Sequence, residues 1–201
     1  ANIKKVSSEK KNILFISTFR LSNYLHKNEN FNVASKIIKI LNIFCEKKKI
    51  KLFISISSIE NYLEEKDFLL SKLPKKHNVW VIKKKRRSGN YSLINKFETI
   101  VFVDSTLGYE AIARKKKIVA ISCRKLDNAS LFSPFGFPTI KSNKAFFFTN
   151  FSTKKEIFRV LNNVYNLPKI KEILSPNPVK IIDYKLINEN PKEFLNVISD
   201  F

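Results

Sequence analysis

ETIVFVDSTLGYEAIARKKKIVAIS, residues 98–122, sets two short apolar runs, TIVFV (99–103) and KIVAIS (117–122), on either side of TLGYEAIAR (106–114). Each run is too short for a helix and lacks the alternation of a half-buried strand, so both read as strands covered on both faces. The segment between them carries helical spacing. Ser105 or Thr106 supplies an N-cap, and Arg114, Lys115, Lys116 and Lys117 close the helix where cations suit its dipole. Strand, helix and strand in that order make the crossover unit of a parallel sheet.

The alternation extends in both directions. Upstream lie the apolar runs NILFIS (12–17), KLFISI (51–56) and VWVI (79–82). Helical stripes separate them: 31–49, with Val33, Ile37, Ile40, Leu41 and Phe44 in phase; 59–73, closed by Pro74; and a short one over 91–96. Downstream, a Phe-, Gly- and Pro-rich loop (131–138) precedes a sixth strand over 145–149. A helix over 153–165 follows, with Ser152 as N-cap and Glu156 near its first turn. Residues 168–178 read as irregular, and 190–199 as a closing helix with Pro191 in its first turn. The expectation is a single domain over 1–201, a doubly wound, Rossmann-like α/β fold: a parallel sheet of about six strands with helices on both faces.

Composition fits that reading. The chain has 201 residues, 44% of them apolar, and its eighteen Phe, six Tyr and one Trp give one domain ample material for a core. Cys45 and Cys123 make neither a disulfide scaffold nor a metal-ligand spacing, which fits a reducing compartment. No apolar run approaches the ~20 residues of a membrane span, and no secretory signal opens the chain. A start at Ala1 with no Met anywhere is the pattern expected of a fragment.

Thirty-eight basic against seventeen acidic residues leave a net charge of +21. Such a surface suits a polyanion or an anionic membrane face. Lysine dominates over arginine, however, and most basic runs fall at helix ends, where a solvated turn accounts for them. No helix-turn-helix, RNA-binding or zinc signature accompanies the charge, so nucleic acid is not expected as a partner.

In a doubly wound sheet, ligands bind beyond the carboxyl ends of the strands, at the point where strand order reverses. Those ends carry Ser17, Thr18 and Arg20; residues 55–58 (SISS); residues 83–89 (KKKRRSG); residues 104–110 (DSTLGYE); and Cys123 with Arg124. Hydroxyls and cations recur there, and an anionic ligand fits that lining. In DSTLGYE, the capped helix start offers amides to a phosphate, Gly108 allows a close approach, and Glu110 could take the hydroxyls of a ribose. A dinucleotide fingerprint and a P-loop are absent, which disfavours NAD binding and P-loop hydrolysis.

Residues 98–122 resemble the donor-binding motif of GT-B glycosyltransferases, and more narrowly the bacterial group that builds capsule and other surface carbohydrates. NILFISTFR (12–20), YSLINKFETIVFVDST (91–106), PFGFP (134–138) and AFFFTNFSTKKEIFRVLNNV (145–164) match in the same order. The resemblance implies a C-terminal, donor-binding half of a two-domain enzyme. Ser17, Thr18, Arg20, Ser105, Thr106, Leu107, Gly108, Glu110 and Arg124 would form the nucleotide-sugar site. Ser105, Thr106 and adjoining amides would face the phosphate, Glu110 the ribose, and Arg20 (with Arg124 behind it) the phosphate or a sugar carboxylate. No metal or other cofactor is implied. The general base and the glycan or lipid-linked acceptor site would come from an N-terminal domain, leaving this domain inactive alone. A cytoplasmic location is implied, with peripheral contact at the inner membrane face. The chain departs from the pattern at Lys115, where the family turn carries glycine.

A nucleotide-sugar 2-epimerase-like enzyme is the nearest enzymatic alternative. A non-catalytic basic module binding nucleic acid or an anionic membrane is the alternative from another class. His26 and His77 read as solvated or structural, Cys45 as core, and Cys123 as a thiol without a base placed beside it.

Overall fold

Ile13–Ile16 (β1), Leu52–Ser55 (β2), Val79–Ile82 (β3), Thr99–Phe102 (β4) and Lys117–Ile121 (β5) form where the apolar runs predict them, and Phe148–Thr149 (β6) closes the series. This computed structural model describes residues 11–19, 33–57, 59–83, 89–103, 105–114, 116–121, 144 and 146–167. The helices among them are Val33–Lys48 (α1), Tyr62–Ser71 (α2), Gly89–Lys96 (α3), Thr106–Ala113 (α4) and Lys154–Tyr165 (α5). The anticipated loop at 131–138 and helix at 190–199 lie outside the described residues.

The strands make one sheet in the order β3-β2-β1-β4-β5-β6, and every pairing in it is parallel. Continuous apolar sequence is the cause. β1, β4 and β5 are buried along their whole length, which requires helices above and below. Strand order reverses between β1 and β4, which pair as Ile13↔Thr99, Leu14↔Ile100 and Phe15↔Val101.

Residues in register share a face. Phe53, Trp80, Leu14, Ile100 and Phe102 therefore look to one side. There Phe53 meets Phe97 (ring centroids 5.1 Å apart) and Trp80 (5.7 Å), and α4 sits directly on Phe102. α3 packs beside α4. On the other face α1 packs between α2 and α5, its Phe44 meeting Phe158 at 5.5 Å and Tyr165 at 5.9 Å.

Two local expectations are corrected. The cap of α5 is Thr153, not Ser152: Thr153 is extended (φ −73°, ψ 142°) and its hydroxyl accepts from the Glu156 amide at 3.3 Å. Glu156 does not reach back to complete a capping box; its Oε2 pairs instead with Arg159 Nε at 2.9 Å. β6 is two residues long rather than five, pairing only as Ala120↔Phe148 and Ile121↔Thr149, while Lys144 bridges back to Thr149 in antiparallel sense.

Candidate functional site at the strand-order reversal

The carboxyl ends of β1 and β4 lie side by side at the reversal, so Ser17 and Thr18 neighbour the turn that starts α4. Ser17 is buried, and its amide extends the ladder by donating to the Ser55 carbonyl at 2.9 Å. Its Oγ accepts from the Phe19 amide at 3.3 Å and so turns the chain over the end of the strand. Thr18 is half-buried.

Across the reversal, Ser105 is the cap of α4. Its backbone is extended (φ −81°, ψ 133°), its Oγ accepts from the Leu107 amide at 3.3 Å, and its carbonyl accepts from the Gly108 amide at 2.9 Å. Two first-turn amides are thus engaged within the turn, and Thr106 stands exposed at the start of the helix. Leu107 is buried, so any part it takes in binding is through its backbone. Gly108 makes a close approach within the fold itself. A Cβ there would lie 2.2 Å from a ring carbon of Phe102, so the close approach is to the sheet beneath. Glu110 is half-buried, one turn into the helix.

Ser17, Thr18, Ser105 and Thr106 are therefore brought to adjoining strand ends, with Glu110 on the helix that rises from one of them. Arg20, Asp104, Cys123 and Arg124 lie outside the described residues, as do His26 and residues 84–88. His77 precedes β3, at the edge of the sheet opposite this site.

One polar group at the same edge escapes sequence reasoning. Glu65 on α2 is fully buried, yet its carboxylate accepts from Ser57 three times: from the amide at 3.0 and 2.9 Å and from Oγ at 2.7 Å. Its helical phase was the available signal, because Glu65 shares the i, i+3, i+4 face of Phe68 and Leu69.

Elsewhere among the described residues, Lys117, Glu98, Cys45 and Tyr165 serve the fold. Lys117 is buried, pairs with Glu98 at 2.9 Å and donates to the Leu167 carbonyl, tying the end of α5 to the amino edge of the sheet. Burial, reinforced by nearby Glu46, pushes the Cys45 thiol up to about 12, which leaves it protonated and inert. Tyr165 is also raised, by burial first and then by Cys45 and Glu98. Among the described residues, no group of three or more His, Cys, Asp or Glu could hold a metal ion. None of the described helices is long and apolar enough to cross a membrane.

A family model described as "putative O-antigen biosynthesis protein" matches residues 1–198. Searches of curated proteins and of solved structures return no match.

Proposed function

The chain belongs to this O-antigen biosynthesis family, and from that premise we propose that it is the donor-binding domain of a glycosyltransferase, taking a nucleotide sugar at the strand-order reversal. Membership supplies the setting, surface polysaccharide synthesis. One observation carries the finer reading: the capped start of α4 stands beside the hydroxyl-bearing end of β1, where doubly wound sheets take phosphorylated ligands.

The mechanism in this proposal is electrostatic. Charge developing on the departing nucleotide is met by the start of α4, by the hydroxyls of Ser17, Thr18 and Thr106, and by Arg20, with no metal required. Glu110 accepts from the ribose hydroxyls. A base outside this domain removes the proton of a glycan or lipid-linked acceptor, and the reaction proceeds at the cytoplasmic face of the inner membrane.

Calorimetric titration with UDP, CMP, CDP, GDP and ADP tests this reading. One nucleotide is expected to bind saturably. Because a hydrogen bond to a charged group is worth about 1.5–3 kcal/mol, Glu110→Ala should weaken it by at least about tenfold. Equal, weak binding of all five to both proteins would reject the site.

A further inference from the structure

We propose that Glu65, acting through Ser57, is a positioning residue for the mouth of β1, an inference that rests on the donor-site reading above. The argument begins with cost. A carboxylate removed from water needs compensation, and among the described residues no cation pairs with Glu65. An apolar side chain would hold α2 to the sheet without that penalty. What the two carboxylate oxygens do instead is fix both donors of a single residue, the amide and the hydroxyl of Ser57.

Ser57 hands that order on. Its Oγ also lies 3.2 Å from the carbonyl of Phe19. The Phe19 amide is held by Ser17 Oγ, and its carbonyl shares the one Ser57 hydroxyl hydrogen with Glu65 Oε2, which stands nearer at 2.7 Å. The Phe19 ring rests against Phe68 at 5.4 Å, three residues after Glu65 on the same helix. α2 thus meets the β1 mouth at two points on one face, one polar and one aromatic.

Hydrogen counting separates the variants. Ser57 has one hydroxyl hydrogen and two acceptors within reach, Glu65 Oε2 and the Phe19 carbonyl. In Glu65→Gln, the side-chain carbonyl can accept the Ser57 amide while its NH2 donates to Ser57 Oγ. That frees the hydroxyl hydrogen for Phe19, so the connection survives. Ser57→Ala removes it, and Glu65→Ala leaves the hydroxyl its hydrogen but takes away the carboxylate that holds the Ser57 amide and hydroxyl in place. Ser57→Ala takes one donor from the buried Glu65 carboxylate but leaves the amide donating to both its oxygens, so its Tm is measured alongside, whereas Leu69→Ala, at a fully buried position on α2, loosens the helix without removing a bond of the connection.

The test measures hydrogen exchange at the Phe19 amide and calorimetric affinity for the same five nucleotides in the full chain. Ser57→Ala and Glu65→Ala should speed Phe19 exchange and weaken nucleotide binding, each on the order of tenfold, since small misplacements of a binding group are costly. Glu65→Gln should behave as wild type in both, and Leu69→Ala should lower Tm while leaving both near wild type. If wild type binds nucleotide and Ser57→Ala and Glu65→Ala bind it equally well, the positioning role is overturned and the donor reading stands. If Leu69→Ala reproduces their losses, Glu65 is merely structural and the role is likewise overturned. If wild type binds none of the five, the donor reading fails. Faster exchange in Ser57→Ala then still upholds the clamp on Phe19, and unchanged exchange overturns it.

Discussion

Cys45 lies on the buried side of α1 and keeps its proton up to about 12, against an ordinary thiol value of 9.0. The unfolded chain sheds that proton first, so stability present below pH 9.0 is lost as pH rises towards about 12. Tyr165 acts in the same direction from about pH 10.0 upward. Urea unfolding between pH 8 and 11 should show Cys45→Ala with the flatter profile. The difference in slope above pH 9 should approach about 1.4 kcal/mol per pH unit where the unfolded thiol is ionised and the folded one is not. Matching slopes would mean the thiol is not sequestered. Legibility at this scale depends on how local the chemistry is. Ser105 is readable because a cap bonds an amide two residues on. Glu65 is not, because its partner Ser57 lies eight positions upstream and is returned to it only when α2 folds against the sheet.

The end of α1 shows how elements stop when sequence offers no glycine. Lys49 adopts φ 55°, its amide donates to the Glu46 carbonyl at 3.1 Å, and the Ile50 amide donates to the Cys45 carbonyl at 3.0 Å. That is the paired bonding of a Schellman turn, with lysine at the left-handed position where glycine is free of steric cost. Lys49→Gly should therefore stabilise the protein by up to about 1 kcal/mol, the low end of the left-handed penalty, a rise of about 2–4 °C in Tm on thermal unfolding. A fall in Tm would show that Lys49 contributes more through its side chain than its backbone costs. Sequence placed α1 through residue 49, since charge and spacing continue there and only the backbone turns. β1, β2, β4 and β5 were legible as unbroken apolar runs because burial on both faces leaves little polar alternation to blur them, and β3 was legible from its apolar run although it is an edge strand with Trp80 exposed. β6 was legible in its place but not in its length, since it is an edge strand that pairs on one side for two residues.

The chain carries a net charge of +21, and part of it lies against aromatic rings among the described residues. Lys47, Lys48, Lys51, Lys66, Lys72, Lys83 and Lys154 each lie 4.7–6.0 Å from the centroid of an aromatic ring of their own chain. Their aliphatic stems and charges are partly engaged by the fold they decorate. Duplex DNA binding to such a surface should collapse by about 10³-fold or more between 50 and 200 mM salt, while the mononucleotide, meeting few cations, should lose far less. Parallel titrations at the two salt concentrations decide this, and an equal loss for both ligands would favour the basic-module alternative. The doubly wound class was readable from alternation alone. The strand order was not, because nothing in six similar apolar runs says which two become neighbours at the reversal; handed crossovers and the covering of both faces decide it.

The Phe102 ring under Gly108 carries a consequence for descent. The ring fills the space a methyl group would need, so α4 rides as near to β4 as two backbones and one ring allow. Positions 102 and 108 are then free to drift only in step: a lineage that gains bulk at 108 must shed it at 102, or its helix is levered away from the strand. The height of α4 above β4 is set by a pair of residues, not by either one.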